Sequence, residues 1–467
     1  MSENLYELLA GRFSGDRTKP CFLLSDGSAI SYGDLEAAAG RVAGRLAAEG
    51  VQPGDRVALK AEKSPESIMV YLGVLKAGAV FLPLNTAYTD HETHLFLDDA
   101  EPKVVVTDPP DYVRGATGEA LAEAAPRAAD DLASLIYTSG TTGRSKGAML
   151  SHGNLSSNAL ALHEAWGFTP DDVLLHALPI FHVHGLFVAT HCALLSGAPM
   201  IWLPRFADDA VLEALSRATV MMGVPTFYTR LLANPAFTRE RAEGVRLFIS
   251  GSAPLLPTTF AEFEARTGQR ILERYGMSEA VIITSNPLNG ERLAGSVGYP
   301  LPGVELRVAG GEETGVLQIR GPSVFSGYWR MPEKTAEEFT SDGFFITGDV
   351  GRQDPDGRVW ISGRAKDLII SGGYNVYPKE IELVLDELSG VTESAVVGVP
   401  HPDFGEGVLA VVQGSGDESA MIAAARQRLA AYKAPKRVVF VDELPRNAMG
   451  KVQKNLLRER YAGLFTP

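Results

Sequence analysis

Residues 136–152, IYTSGTTGRSKGAMLSH, place a run of serine, threonine and glycine behind an apolar segment and then supply a single lysine. Hydroxyl and backbone N–H donors without a negative charge suit a polyanion, and phosphate fits them. The spacing is not that of the NTPase phosphate loop, G-x-x-x-x-G-K-[ST] opening a helix. Here Gly140-Thr141-Thr142-Gly143-Arg144-Ser145-Lys146 is followed by Gly147, so the expectation is a mobile loop between strands. Four further stretches carry polar groups. ILERYGMSEA (271–280) sets Tyr275 and Glu279 after a strand-like run, and GFFITGDVG (343–351) sets Asp349 after a Thr-Gly turn. GRAKDLIISGGYNVYP (363–378) joins a charged segment to a double glycine, and LPRNAMGKVQKNLLR (444–458) presents Lys451 after a glycine turn. Taken singly, each has an ordinary explanation: a surface turn, a solvated acid, an aspartate favoured by turn backbone, a linker, a solvated lysine.

The elements that must position these groups follow from periodicity. Residues 33–49 carry apolar positions at helical spacing and end at Gly50, and residues 56–85 read strand, amphipathic helix, strand. Strands are predicted at 103–107, 134–138, 173–178, 199–203, 219–222 and 245–249. This alternation argues for an α/β fold with parallel strands. After about residue 295 the pattern turns to short β segments separated by turn residues. Beyond the charged junction at Gly363–Asp367, strands (ESAVVGVP, GVLAVVQG) and helices near 378–388 and 419–431 suffice for a separate α+β unit of about a hundred residues. The predicted architecture is a large α/β N-terminal domain with a small β subdomain, residues 1–365, and a small C-terminal α+β domain, residues 366–467. Segment 108–131, rich in Ala, Pro and acids, reads as a surface excursion without chemistry.

Of the 467 residues 45% are hydrophobic and 21% charged, as in ordinary globular enzymes. A formal charge of -14 argues against nucleic acid or an anionic membrane as a partner. Cys21 and Cys192 show no metal-ligand spacing and read as free thiols in a reducing compartment. The N-terminal residues lack the pattern of a secretory or transit peptide. The apolar stretch 185–203 is interrupted by His191, Ser196, Gly197 and Pro199, too polar for a membrane span. A cytoplasmic location is expected.

In this order the five stretches resemble the adenylate-forming superfamily of acyl-CoA synthetases, luciferases and peptide-synthetase adenylation domains. That resemblance implies ATP-dependent activation of a carboxylate as its adenylate, with release of pyrophosphate, followed by displacement of AMP by a thiol such as that of coenzyme A. It implies that Thr138, Ser139, Thr141, Thr142 and Lys146 cradle the β- and γ-phosphates, and that Glu279 binds Mg2+, a hard cation suited to oxygen ligands. Tyr275 would stack on adenine, Asp349 would accept from the ribose hydroxyls, and Arg364 would reach the same sugar-phosphate region. Lys451 would bridge the carboxylate and α-phosphate. The small domain would rotate about Lys366 between half-reactions, and Gly372 and Gly373 would line the pantetheine tunnel. Lys146, Glu279 and Lys451 are all present, which argues against a non-catalytic relative. Acetylation of Lys451 by a lysine acetyltransferase would remove its charge.

The acid is narrowed by Arg230 in MGVPTFYTRLL, Ser252 in FISGSAPL and Arg274 in ERYG. These fall where the superfamily builds its acyl pocket. Acetate or a fatty acyl chain has no use for buried guanidinium groups, whereas a second carboxylate pairs with them. These positions, with stretches such as ALPIFHVHGLFVA, are similar to malonyl-CoA synthetases. His182 and His184 lack a third metal ligand nearby and are assigned to the acyl pocket, His182 nearer the reacting carboxylate. The alternative is a CoA ligase for another short acid, or an enzyme loading a carrier protein. After Glu279 the chain runs Ala280-Val281-Ile282-Ile283-Thr284-Ser285. If Ile282 stands where such enzymes have a methionine, the pocket floor changes shape, and one methyl is worth about 1–3 kcal/mol. Methylmalonate turnover is therefore expected to approach malonate turnover, and Ile282→Met to narrow the choice. An unchanged ratio of the two rates in that variant would remove Ile282 as the determinant.

Overall fold

The structure is a computed structural model and describes residues 2–13, 15–138, 146–311, 313–371, 374–447 and 450–465. The strand–helix–strand pattern at 56–85 becomes strand Arg56–Leu59, helix Pro65–Lys76 and strand Val80–Pro83. The two strands pair in parallel, Arg56 opposite Val80. Ser64 caps the helix by accepting from the Ser67 N–H, with Pro65 in the first turn where a missing N–H costs nothing. These strands belong to a five-stranded sheet in the order Val104–Val106, Arg56–Leu59, Val80–Pro83, Leu132–Thr138, Lys146–Ser151. The last pair is antiparallel and brackets the Ser/Thr/Gly run, Thr138 opposite Lys146.

A second sheet has thirteen strands. Its parallel part runs Pro20–Leu23, Met200–Trp202, Leu174–His176, Val220–Gly223, Leu247–Ser250, Leu272–Tyr275. Strand Thr284–Ser285 then joins it antiparallel to Ser296–Pro300, Val359–Arg364, Phe345–Gln353, Gly315–Arg320 and Glu305–Val308. The β-rich region expected after residue 295 is thus the antiparallel end of this sheet. The apolar stretch 185–203 forms a π-helical turn His184–Ala189, helix Thr190–Ser196 and strand Met200–Trp202. No helix among the described residues is long and apolar enough to cross a membrane. Segment 108–131 carries helix Pro109–Arg114 and then lies along helix Tyr32–Ala48, where the Leu121 N–H donates to the Gly40 carbonyl at 3.0 Å.

A third sheet, formed by Tyr374–Val376, Ile369–Ser371, Gly405–Gly414, Val391–His401 and Arg437–Val441, makes the small C-terminal unit. Alternation sorts its two faces. Val396, Val408, Ala410 and Val412 pack with helices Pro378–Asp386 and Glu418–Arg428. Ala395, Val397, Val399, Leu409 and Val411 face Leu457 of helix Lys454–Arg460.

At the amino ends of the large parallel strands, buried Asp172 gathers three loops. It accepts from Arg246 Nε (2.7 Å) and Nη2 (2.8 Å) and from Thr219 Oγ1 (2.7 Å). Removing the carboxylate strands a guanidinium that solvent partly reaches, which lowers the cost toward about 2–3 kcal/mol. Asp172→Ala is expected to lower the urea midpoint accordingly while leaving substrate KM values within a few-fold, because the candidate site lies at the opposite strand ends.

Candidate active site

Open parallel sheets bind ligands beyond the carboxyl ends of their strands. The loops leaving Leu174–His176 and Leu247–Ser250 carry His182 with His184 and Ser252, the helix after Val220–Gly223 carries Arg230, and Arg274 and Tyr275 end strand Leu272–Tyr275. Successive side chains on a strand point to opposite faces. Glu273 accordingly turns to the Leu255 N–H (3.2 Å), and Arg274 turns toward His184 and Tyr228.

Arg274 is buried, and its Nε and Nη2 have no hydrogen-bond partner among the described residues. Its guanidinium lies flat on the backbone at Gly251, where a Cβ would fall 2.4 Å from Cζ. Burial pulls its pKa down to about 9, so it stays protonated at neutral pH. Around it, Ser252 Oγ is 3.2 Å from His184 Nδ1, and His184 Nε2 and Ser250 Oγ are buried without a partner among the described residues. Ser252 itself adopts φ +70°, a conformation seldom held by a non-glycine residue without functional reason. Burial, Lys451 and Arg274 push His182 down to about 3, and burial and Arg274 push His184 well below its ordinary value. Both imidazoles are neutral. His182 Nδ1 accepts the His184 backbone N–H at 3.2 Å, leaving its Nε2–H as a donor.

Arg230 departs from the expectation of two buried guanidinium groups. It lies on the exposed side of helix Pro225–Ala233, so the burial argument holds for Arg274 alone. Ile282 is buried in the main core, its carbonyl held by Asn158 Nδ2 at 2.7 Å, next to Val281 at φ +58°.

The second half of the site lies across the antiparallel strands. Asp349 pairs with Arg364 in register, its Oδ1 3.2 Å from Arg364 Nε, and accepts from the Tyr275 hydroxyl at 2.6 Å. Burial and then Asp349 raise the Tyr275 pKa, keeping the phenol a donor. Glu279 accepts from the Tyr328 hydroxyl at 3.1 Å, and burial raises its pKa. Arg364 and Lys146 oppose that rise only in part, and a buried carboxylate oxygen of this kind suits a hard divalent cation. Among the described residues no three His, Cys, Asp or Glu converge. Lys146, also buried, lies 4.6 Å from the Tyr328 ring centroid. Ser139, Thr141, Thr142, Gly372 and Gly373 lie outside the described residues.

Lys451 arrives from the small domain on a turn stapled by the Arg446–Val452 bridge. Gly450 (φ +73°) allows close approach, since a Cβ there would sit 3.2 Å from Thr226 of the large domain. The ammonium shares its surroundings with Arg364, Asp349, Arg274 and Glu279, and burial followed by Arg364 lowers its pKa to about 8. Lys366 occupies a single 3-10 turn, Ala365–Asp367, directly after Arg364, and Asp367 pairs with Arg458 of the last helix at 2.6 Å.

Lys63 is a support that none of the five stretches contains. Its ammonium donates to His176 Nδ1 (2.9 Å), His176 O (2.7 Å) and Leu203 O (2.8 Å), 4.2 Å from the Trp202 ring centroid. His176 Nε2–H in turn meets the Gly185 carbonyl (3.0 Å), fixing the π-helical turn that begins at His184.

A mixed α/β large domain with a β-rich end and a small C-terminal domain is the fold of the adenylate-forming enzymes. The chain belongs to the AMP-binding enzyme family, which matches residues 10–329, and the AMP-binding enzyme C-terminal domain matches residues 380–451. It is 52% identical to ATP-bound MatB from Rhodopseudomonas palustris, with a TM-score of 0.96 and all of both chains covered. It is 34% identical to a malonate–CoA ligase of Arabidopsis thaliana, covering 98% of this chain and 89% of that one. It is also 37% identical to a feruloyl-CoA synthase of an Amycolatopsis species, covering 93% and 94%. Relatives at similar identity thus take different acids, and the substrate must be argued from the pocket.

The Lys451 pKa of about 8 lies below the ordinary lysine value, so its charge is present at neutral pH and lost as pH rises through 8. Acid-dependent pyrophosphate release is expected to fall in kcat/KM through about pH 8, and Lys451→Arg to move that limb upward. A limb that stays put in the arginine variant assigns the titration to another group.

Proposed function

We propose that this protein converts malonate, ATP and coenzyme A to malonyl-CoA, AMP and pyrophosphate through an acyl adenylate. The observation carrying this reading is Arg274, buried with two nitrogens unmatched among the described residues. A substrate carboxylate answers them with paired hydrogen bonds, whereas acetate would leave them unanswered. His184, Ser250 and Ser252 supply further polar contacts to that second carboxylate. Arg230, at the exposed edge, assists entry of the dianion. Methylmalonate is the second acid favoured if Ile282 stands where such enzymes have a methionine, since one methyl in a pocket is worth only about 1–3 kcal/mol.

One malonate carboxylate attacks the α-phosphorus of ATP as the bond to pyrophosphate breaks, the leaving oxygen keeping the electron pair. Tyr275 stacks on adenine and Asp349 and Arg364 hold the ribose. Lys451 bridges the attacking carboxylate and the α-phosphate, where negative charge gathers. A pre-placed cation at such a point is worth about 3 kcal/mol, by analogy with oxyanion-hole donors. His182, neutral and with Nε2–H as donor, orients the reacting carboxylate without competing for it as a second cation. Glu279, together with the phosphates, would hold Mg2+, which would supply charge neutralisation. Thr138, Ser139, Thr141, Thr142 and Lys146 receive the β- and γ-phosphates. In the second half-reaction the thiol of coenzyme A adds to the acyl carbonyl and AMP departs. That step takes place after residues 366–467 turn about Lys366, with Gly372 and Gly373 lining the thiol arm's path. We place the enzyme in the cytoplasm. Acetylation of Lys451 would silence the first half-reaction by removing its charge.

The test is AMP release with Mg-ATP and coenzyme A against malonate, methylmalonate, succinate, acetate and butyrate in parallel. Malonate and methylmalonate are expected to dominate. Arg274→Gln is expected to lower kcat/KM for malonate by about 100-fold or more, with the ATP KM within a few-fold. If acetate or butyrate dominates, or the variant loses all acids equally, Arg274 serves structure and the substrate assignment falls.

A further inference from the structure

Lys146 already has an anionic partner. Its Nζ is 3.2 Å from Glu338 Oε1, with side chains 8% and 22% exposed, and the same oxygen is 3.0 Å from Lys334 Nζ. Glu338 sits at the C-terminal end of helix Pro332–Glu337, and its carbonyl accepts the Ile346 N–H at 2.8 Å. Tyr328 forms the floor. It pairs with Ala148 across an isolated bridge, lies beneath the Lys146 ammonium, and donates its hydroxyl to Glu279. A folded-in carboxylate therefore stands beside the lysine that, in the reading above, receives the β- and γ-phosphates.

We propose that Glu338 is a built-in competitor for Lys146 that weakens the hold on polyphosphate and speeds pyrophosphate departure. The inference rests on the assignment of Lys146 to the phosphate site. The β- and γ-phosphates of ATP and the released pyrophosphate meet the same groups, so affinity gained for one is gained for the other. Such uniform binding slows product release without lowering the chemical barrier. A negative side chain at contact distance from the ammonium opposes both ligands. It also gives the lysine a partner when pyrophosphate leaves, so that no buried cation is stranded. Glu338 touches no reacting atom; it positions and neutralises Lys146.

The test uses the whole protein, without acid or coenzyme A, so that it is independent of which acid is the substrate. Calorimetric titration with Mg-pyrophosphate and with Mg-ATP is compared for wild type, Glu338→Gln and, as a control on an exposed neighbour, Glu337→Gln. Glu338→Gln is expected to tighten pyrophosphate binding by about 5-fold, the size of a partly exposed charge pair. ATP binding should tighten in the same direction, and Glu337→Gln should stay within two-fold. In a Lys146→Met background the effect of Glu338→Gln is expected to shrink below two-fold, a coupling that a merely structural glutamate would not produce. Weaker or unchanged pyrophosphate binding in a Glu338→Gln variant that melts like wild type overturns the proposal. Wild-type protein that binds neither ligand overturns it together with the nucleotide reading. Tightened binding combined with no malonate turnover leaves this inference standing and removes only the acid assignment.

Discussion

Arg274 brings a full positive charge into the large domain, and its neighbours are arranged around that burden. A cation withdrawn from water without a partner is strongly destabilising, and its positive field disfavours every other cation nearby. The surrounding chemistry follows. His182 and His184 are held neutral, Tyr228 and two serines offer dipoles, and Gly251 lets the guanidinium lie on backbone. Lys63, behind the pocket, has its three donors taken by His176 and Leu203, which props the histidine-bearing turn without adding an open cation to the pocket. The unpartnered polar atoms of Arg274, His184 and Ser250 among the described residues thus suit an anion.

The nucleotide half answers the opposite problem, that of keeping acids buried. Glu279 is held by Tyr328, and Asp349 by Tyr275 and Arg364. Lys451 thus stands among two cations, Arg364 and Arg274, and two acids, Asp349 and Glu279, and this cluster is built from three separate parts of the chain. The sheet's parallel end contributes Arg274, its antiparallel end contributes Asp349, and the small domain contributes Lys451. Continuity of the thirteen-stranded sheet through Thr284–Ser285 holds the first two in one frame.

Much of this was legible in the sequence. The helix expected at 33–49 forms at Tyr32–Ala48, and the strands expected at 219–222 and 245–249 form at Val220–Gly223 and Leu247–Ser250, because continuous apolar runs between turn residues leave little choice. Tyr275, Asp349, Glu279 and Lys451 were singled out from motifs in fixed order, and the fold brings Tyr275 to Asp349 and sets Lys451 near Asp349 and Glu279. What escaped depends on contacts distant in sequence. Arg230 and Arg274 look alike as residue types, yet one stands on an exposed helix face and the other on a buried strand. Lys63 meets His176, and Tyr328 meets Lys146, across more than a hundred residues, and no local pattern announces either pairing. Glu338 reads as one of many surface acids until the fold sets it beside Lys146.

The crowding of Lys451 against His182 ties proton affinity to domain position. The imidazole's depressed pKa owes part of its depression to an ammonium carried on another domain, at the tip of a turn that touches the large domain near Thr226. Withdrawing that turn would lift a repulsion, and the histidine would hold a proton more readily. The small domain's location is in this sense written into the acid–base state of a side chain that does not move with it.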